Sequence, residues 1–184
     1  MKLKDLKDEF LDSQALQSSW RAAIRQNSPY SAKKGKQADL ARSRFRDRWK
    51  KLLRACARAY RNQKSWKSYY RDICRIQKDL ETYISKNDPQ YFRKVRFSLV
   101  QKSFSLYLKY RWCHGVIQEP PFFPLDLEAL KGWKEKYPRT TKITNSWTKI
   151  TKKDFTQLHH DEKNQPAQWE LGFWNEWQRK LRSQ

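Results

Sequence analysis

Two residues of opposite charge, Lys102 and Asp126, stand in surroundings where each can take part in chemistry. Lys102 lies in an otherwise apolar segment, residues 101–110, with the sequence QKSFSLYLKY. Desolvation and neighbouring cations lower the pKa of a lysine in such a segment, and the neutral amine is a nucleophile toward C1′ of a sugar. Asp126 follows a proline-rich stretch and stands where a helix begins, so its carboxylate stays ionised and can stabilise an oxocarbenium-like transition state. This pair suits cleavage of an N-glycosidic bond followed by Schiff-base formation.

The segment around both residues resembles the helix-hairpin-helix DNA glycosylase superfamily, most closely its archaeal 8-oxoguanine glycosylase branch. In that branch a catalytic lysine opens a helix of the pattern K-[ST]-x-x-x-x-x-K, and a catalytic aspartate follows a proline-rich turn a few dozen residues later. The run from Lys102 to Lys109 and the run Pro124-Leu125-Asp126 fit that arrangement. The resemblance implies that Lys102 is the Schiff-base nucleophile and that Asp126 caps the next helix near the reacting sugar.

The chain departs from this superfamily at two places. No glycine-rich hairpin precedes Lys102, so the usual backbone clamp for phosphate is missing. Leu127-Glu128 stand where an aromatic residue or a histidine is expected after the aspartate. Two structural alternatives therefore stay open: Asp126 is a helix N-cap without a chemical role, and Lys102 is a solvated or phosphate-contacting lysine.

Residues 95–130 and 165–177 are also similar to a group of uncharacterised bacterial and phage proteins. Those proteins share the motifs K-x-x-N-L-Y-L-K-Y-x-W-C-x-G, P-P-H-C-P-x-D-R and E-W-E-L-x-x-W. This chain has Phe122, Phe123 and Leu127 where the second motif has His, Cys and Arg. This second resemblance indicates a family and implies no function.

Positive charge is concentrated in one quarter of the chain. The protein carries 41 Lys and Arg against 19 Asp and Glu, a net charge of +22, and residues 33–78 alone hold 17 basic and 3 acidic residues. A surface this basic binds phosphate groups non-specifically and with strong salt dependence. We expect a nucleic acid as the partner, DNA rather than RNA. The expected nucleic-acid-binding residues are Lys33, Lys34, Lys36, Arg42, Arg44, Arg46, Arg48, Lys51, Arg54, Arg58, Arg61, Lys64, Lys67, Arg71 and Lys109.

The same charge also fits a solvated surface that only keeps the protein soluble, an anionic membrane surface, or an acidic protein partner. Membrane binding usually uses an isolated interfacial helix, whereas this basic segment is embedded among core-forming helices. No stretch of the sequence approaches 18 apolar residues, the length that a spanning helix needs. The sequence therefore predicts no membrane partner.

Helical patterning runs through most of the sequence. Only four glycines are present, and runs of alternating apolar and polar residues bounded by turn signals are few. We predict an all-α protein, one compact domain of about six helices with a basic helical pair. Its segments are an N-terminal helix in 1–32, a basic helical segment in 38–86, and a helical core in 89–184 that contains the proline-rich loop 118–125 and a tryptophan-rich C-terminal helix.

Local signals mark where helices begin and end. Asp88-Pro89 is a start signal, with Asp at the N-cap and Pro at the first helical position, for a helix that is either continuous or broken between Pro89 and Cys113. Gly115 is placed to end the helix that contains Lys102. A short helix is expected to start at Asp126, a capping box of Thr151 and Asp154 to begin another, and the last helix to start near 166.

The C-terminal helix carries tryptophans on one broad side. Trp169, Trp174 and Trp177 are expected either to close the core or to form a surface for a protein partner. No pairing of cysteine and histidine has the spacing of a zinc site, so we expect no metal and no cofactor. The odd number of cysteines, three, indicates a reducing compartment, and we expect the cytoplasm.

Three functions compete for this sequence. The first is a nucleic-acid-binding, DNA glycosylase/lyase-like enzyme that uses Lys102 and Asp126. The second is a non-catalytic nucleic-acid-binding subunit of a larger complex. The third is a phage- or defence-related adaptor for an acidic protein.

Overall fold

The computed structural model describes residues 3–136, 146–160 and 166–183. These residues form seven α-helices and no β-strand, which confirms the all-α prediction. The helices are α1 (Leu3–Ile24), α2 (Lys36–Ala57), α3 (Trp66–Lys86), α4 (Phe97–Cys113), α5 (Leu127–Lys136), α6 (Lys152–His160) and α7 (Pro166–Arg182).

α4 lies at the centre of the molecule. Its residues 97–105 are all buried, and α1, α2 and α3 each pack against it. Because neighbours cover the helix on several sides, its apolar residues are not confined to one stripe. Two of its buried polar side chains are hydrogen-bonded to other segments: Ser103 accepts from Nε1 of Trp49 at 3.2 Å, and Nε2 of Gln101 donates to the carbonyl oxygen of Phe123 at 3.1 Å. α4 is therefore a fixed, buried frame for the side chains that it carries.

α2 and α3 are the basic helical pair. In α2 the buried residues recur every three or four positions, from Phe45 through Trp49 and Leu53 to Cys56. α3 buries a similar stripe between residues 69 and 84. Because these two stripes pack against each other and against α4, the charged side chains of both helices remain on the outside.

The start signal at Asp88 begins only a short element, so the helical segment between Pro89 and Cys113 is broken, which is one of the two possibilities that the sequence left open. Pro89–Tyr91 forms only a 3-10 turn, and α4 begins after it. Asp88 has a left-handed backbone with φ 56°, and its carboxylate accepts a hydrogen bond from Arg44 at 2.5 Å instead of capping a helix. The N–H of Arg93 donates to the loop that follows α1, and this bond keeps the segment before α4 extended.

The other boundary signals are confirmed. Gly115 has φ 70° directly after α4, a conformation that glycine adopts without strain. Oδ1 of Asp126 accepts from the N–H of Ala129 at 2.9 Å and caps α5. Thr151 and Asp154 form the capping box of α6: Oγ1 of Thr151 accepts from the N–H of Asp154 at 3.2 Å, and Oδ2 of Asp154 accepts from the N–H of Thr151 at 2.9 Å.

Candidate active site and nucleic-acid interface

The proline-rich loop brings Asp126 next to Lys102. Nζ of Lys102 lies 3.9 Å from Oδ2 of Asp126, which is an ion pair but longer than a hydrogen bond. The amine and the carboxylate are therefore close together but are not hydrogen-bonded to each other. The structure thus brings together the two residues that the sequence singled out.

Lys102 is a largely buried lysine with a shifted pKa. Its side chain is only 10% exposed. Burial lowers the pKa of the Lys102 amine, and the charge of Asp126 opposes this effect. Neighbouring cations, which the sequence also suggested, are not among the causes of this shift within the described residues. Desolvation is thus the cause of the lowered pKa of Lys102.

Trp147 covers the amine of Lys102, a contact for which the sequence contains no signal. The centre of its indole ring lies 4.1 Å from Nζ, a cation–π contact. Nε1 of Trp147 donates to Oε1 of Gln26 at 2.9 Å, and Oγ of Ser98 donates to the carbonyl oxygen of Thr148 at 2.8 Å. These bonds hold the ring against α4.

The two carboxylate oxygens of Asp126 have different neighbours. Oδ1 is used by the cap of α5, whereas Oδ2 faces Lys102. The Asp126 side chain is 34% exposed, more than that of Lys102, so the pair meets solvent on the side of the carboxylate. The helix-cap interpretation and the chemical interpretation of this residue are therefore compatible.

A buried polar chain fixes the loop that carries Asp126. The hydroxyl groups of Tyr69 and Ser105 are hydrogen-bonded, and Nε2 of Gln101 donates both to Oγ of Ser105 and to the carbonyl oxygen of Phe123. Phe123 stacks on Phe122 with 4.5 Å between ring centres, and both rings are fully buried. The phenylalanines at these two positions therefore pack in the core.

A second buried ion pair lies beside the first. Nζ of Lys109 lies 2.7 Å and 2.9 Å from the two carboxylate oxygens of Glu170, with side chains 14% and 5% exposed. Burial raises the pKa of Glu170, the nearby charge of Asp126 raises it further, and Lys109 acts in the opposite direction. This geometry corrects the sequence-based grouping of Lys109 with the phosphate-binding residues, because Glu170 already occupies its amine.

The two ion pairs bring three separate sequence segments together. Residues 101–110 supply both lysines, residues 120–126 supply Asp126, and residues 168–175 supply Glu170. Lys102 and Lys109 are seven residues apart on α4, so they lie two helical turns apart on nearly the same face. The motif segments therefore meet along one face of α4.

Removal of Glu170 is expected to destabilise the fold. The variant Glu170→Ala leaves the amine of Lys109 buried without its partner, so we expect the free energy of unfolding to fall by about 3–5 kcal/mol. Urea denaturation followed by circular dichroism measures this loss. Glu176→Ala is the matched control, since Glu176 is exposed on the same helix, and it should change stability by less than about 0.5 kcal/mol. Equal effects of the two variants would contradict the buried pair.

The predicted phosphate-binding residues lie along α2 and at the start of α3, and most of them are exposed. A cleft of about 580 Å³ between α1 and α2 is lined by Arg46, Lys51 and Arg54. Arg54 also lines a second cleft of about 340 Å³, together with Arg58 and Arg61. The two clefts therefore adjoin at Arg54. We call the two clefts together the α2 groove. The predicted phosphate-binding residues that line it are Arg46, Lys51, Arg54, Arg58 and Arg61.

The other predicted phosphate-binding residues do not line the α2 groove. Lys33, Lys34 and Lys36 are exposed at the N-terminal end of α2, whereas Arg42 is half-buried and ion-paired with Asp39. The remaining positions are the exposed Arg44, Arg48, Lys67 and Arg71 and the half-buried Lys64. Arg44 and Arg54 already pair with acidic residues, 2.5 Å from Asp88 and 2.7 Å from Asp12 respectively.

Arg111 of α4 also lines the α2 groove, although the sequence did not indicate it as a phosphate-binding residue. Its Nη1 lies 3.1 Å from Oδ1 of Asp12, the same carboxylate that pairs with Arg54. Arg111 lines the second cleft beside Arg58 and Arg61. No sequence signal places it there, because it follows the charged segment by more than thirty residues along the chain.

The three tryptophans of α7 have different surroundings. Trp169 packs against Trp133 and Phe123, with ring centres 4.9 Å and 5.4 Å away, so it closes the core and does not form a free docking surface. Trp174 is 45% exposed and lies 5.4 Å from the amine of Lys109. Trp177 is half-buried.

The described part of the chain contains no group of three or more His, Cys, Asp or Glu residues that could hold a metal ion. Within the same residues, no helix is both long enough and apolar enough to cross a membrane. Comparison with known proteins finds no matching family model, no matching curated protein and no matching solved structure.

Proposed function

We propose that this protein binds DNA through the α2 groove and cleaves the N-glycosidic bond of a nucleotide with Lys102 and Asp126. The observation that carries the proposal is the buried amine of Lys102, 3.9 Å from the carboxylate of Asp126. A lysine with a lowered pKa next to a carboxylate supplies both the nucleophile and the stabilising charge that this reaction needs. The resemblance of the same two positions to DNA glycosylases supports the assignment.

The reaction balances with these two side chains. The lone pair of Nζ forms a bond to C1′ while the N-glycosidic bond breaks, and the base leaves with the bonding electrons and takes up a proton. The ring oxygen of the sugar then takes the proton lost from Nζ as the sugar opens, which leaves a protonated imine between Lys102 and C1′. The carboxylate of Asp126 stabilises the positive charge that develops on the sugar before the new bond is complete.

The exposed side of the Lys102–Asp126 pair determines the direction from which a nucleotide can reach Lys102. Trp147 covers Nζ on one side, and Asp126 is the more exposed member of the pair. The sugar therefore approaches from the side of Asp126, and the target nucleotide must leave the base stack to reach a buried amine.

The proposed DNA interface is tested by removing charge from the α2 groove. The triple variant Arg46→Ala, Lys51→Ala and Arg58→Ala removes exposed cations, so we expect weaker duplex binding whatever the DNA sequence. If each cation contacts one phosphate, the slope of log K against log salt falls by about 0.9 for each, or by roughly two to three in total. Fluorescence anisotropy at several salt concentrations measures both effects.

A control variant tests whether DNA binding depends on the cations of the α2 groove or only on the total positive charge of the protein. Lys86→Ala, Lys180→Ala and Arg182→Ala remove the same charge from exposed positions outside the groove. We expect this control to keep a salt slope close to that of the unmodified protein. Equal losses in the two variants would overturn the assignment of the groove.

The proposed chemistry is tested by trapping with borohydride, which reduces the imine to a stable amine. The unmodified protein is incubated with duplexes that carry an abasic site or a damaged base, and the cross-linked peptide is identified by mass spectrometry. A cross-link at Lys102 supports the proposal, and one at another amine contradicts it. Tight DNA binding without any cross-link would favour the non-catalytic alternative, for which the cover of Trp147 over the amine is the supporting observation.

A further inference from the structure

A third cleft, of about 510 Å³, lies outside the α2 groove and beside the N-terminal end of α4. Four exposed cations line it: Lys94, Arg96, Lys149 and Lys152. None of the four makes an ion pair within the part of the chain that the structure describes. Glu81 is the one carboxylate among the described lining residues, so the cleft keeps a strong excess of positive charge.

The N-terminus of α4 opens into this cleft. Its N-cap residue, Arg96, has an extended backbone, and among the described residues no side chain accepts a hydrogen bond from the first turn. Phe97 and Ser98, the first residues of the helix, also line the cleft. The first N–H groups of a helix have no partner within the helix, and together with the helix dipole they favour an anion.

Gln77 supplies a second, independent observation. It is only 7% exposed and lines the same cleft. Its Nε2 donates to the carbonyl oxygen of Val95 at 2.9 Å, whereas its buried Oε1 accepts no hydrogen bond from any described residue. A buried acceptor without a donor is costly, so a ligand with an N–H group would satisfy it.

We propose that this cleft binds one deoxynucleotide of a DNA strand. The phosphate lies at the N-terminus of α4 between the four cations, and an N–H group of the base donates to Oε1 of Gln77. The volume of about 510 Å³ falls in the range of small-molecule sites. A free phosphate would use the cations alone and would leave Gln77 without a donor.

The cleft lies close to Lys102, so the proposal rests on the proposed function and deepens it. Ser98 and Lys102 are four residues apart on α4, which corresponds to about 6 Å along the helix. This distance equals about two nucleotide steps at ~3.4 Å each. The deoxynucleotide in the cleft therefore lies within about two nucleotide steps of the one whose sugar reaches Lys102.

Titration with deoxyguanosine 5′-monophosphate, whose base carries N–H donors, tests the site. We expect saturable binding by calorimetry, weaker binding of inorganic phosphate and weaker binding of deoxyguanosine. Arg96→Glu and Lys149→Glu should each raise the Kd for the nucleotide by about tenfold or more, since each reverses a charge at the phosphate. Lys180→Glu makes the same charge change on an exposed residue of α7 and should leave the Kd within about twofold.

Three outcomes would overturn the proposal: no saturable binding, an equal effect of Lys180→Glu, or equal affinity for nucleotide and inorganic phosphate. Gln77→Met tests the base contact, and we expect it to remove the preference for nucleotide over phosphate while phosphate binding persists. Arg96→Glu and Lys149→Glu change exposed residues, so they remain informative if Gln77→Met does not fold. Borohydride trapping on abasic DNA is a separate measurement, so a failure of this cleft and a failure of Lys102 chemistry are distinguishable.

Discussion

Lys102→Met is expected to abolish the borohydride-trapped complex with abasic DNA. The variant removes the amine that the structure places beside Asp126, so we expect the yield of cross-link to fall by a factor of about 10² or more. The affinity for the same duplex should change by less than about threefold, because the exposed cations of the α2 groove supply the phosphate contacts.

This substitution is chosen so that the fold survives. Methionine is unbranched, flexible and about as long as lysine, so it fills the space beneath Trp147 without a buried charge. The change does not leave the carboxylate of Asp126 buried without a partner, since its side chain is 34% exposed and caps α5. Circular dichroism and thermal unfolding verify that the variant is folded.

Lys131→Met is the matched control for Lys102→Met. Lys131 is exposed on α5 and pairs with Glu128, so its loss should leave the cross-link unchanged. A cross-link that survives Lys102→Met would show that a surface lysine or the amino terminus of the chain is the nucleophile. It would also remove the chemical role that we assign to the buried amine.

Most helices could be predicted from the sequence because their signals are local. The stripe of Phe45, Trp49 and Leu53 in α2 and the capping box of Thr151 and Asp154 depend on residues within a few positions of one another. The signal at Asp88 is equally local, yet only a 3-10 turn begins there. There a long-range partner, Arg44, takes the carboxylate and leaves it unable to cap.

The candidate site could be predicted only in part. Lys102 and Asp126 are visible in the sequence because a motif links them, but the cover of Trp147 over the amine depends on packing between distant segments. The charge of Lys109 is equally visible and by itself suggests a phosphate contact. Its partner Glu170 lies on another helix, and no local pattern indicates that the two residues meet.

Asp126→Asn is expected to separate the two stages of the proposed reaction. Asparagine is as good an N-cap as aspartate, so the bond to the N–H of Ala129 and the start of α5 are kept while the negative charge is lost. We expect release of a damaged base from intact DNA to slow by about 10²–10³-fold, because the developing charge on the sugar loses its carboxylate. Trapping on a preformed abasic site should persist, since that aldehyde needs only the amine.

The pH dependence of trapping gives a second readout for the same variant. The charge of Asp126 raises the pKa of Lys102, although burial is the stronger effect and lowers it. Loss of that charge should therefore lower the pKa of Lys102 further, so the neutral amine forms at lower pH. The midpoint of the trapping rate against pH should move to lower pH in Asp126→Asn than in the unmodified protein.

Asp126→Ala completes this test, because it removes both the charge and the cap. We expect the same loss of base release as in Asp126→Asn, together with a fall of about 1 kcal/mol in the free energy of unfolding. If Asp126→Asn releases damaged bases at the unmodified rate and only Asp126→Ala is impaired, Asp126 is a helix cap alone. A trapping midpoint that moves to higher pH in Asp126→Asn would show that the carboxylate does not act on the amine as the 3.9 Å separation implies.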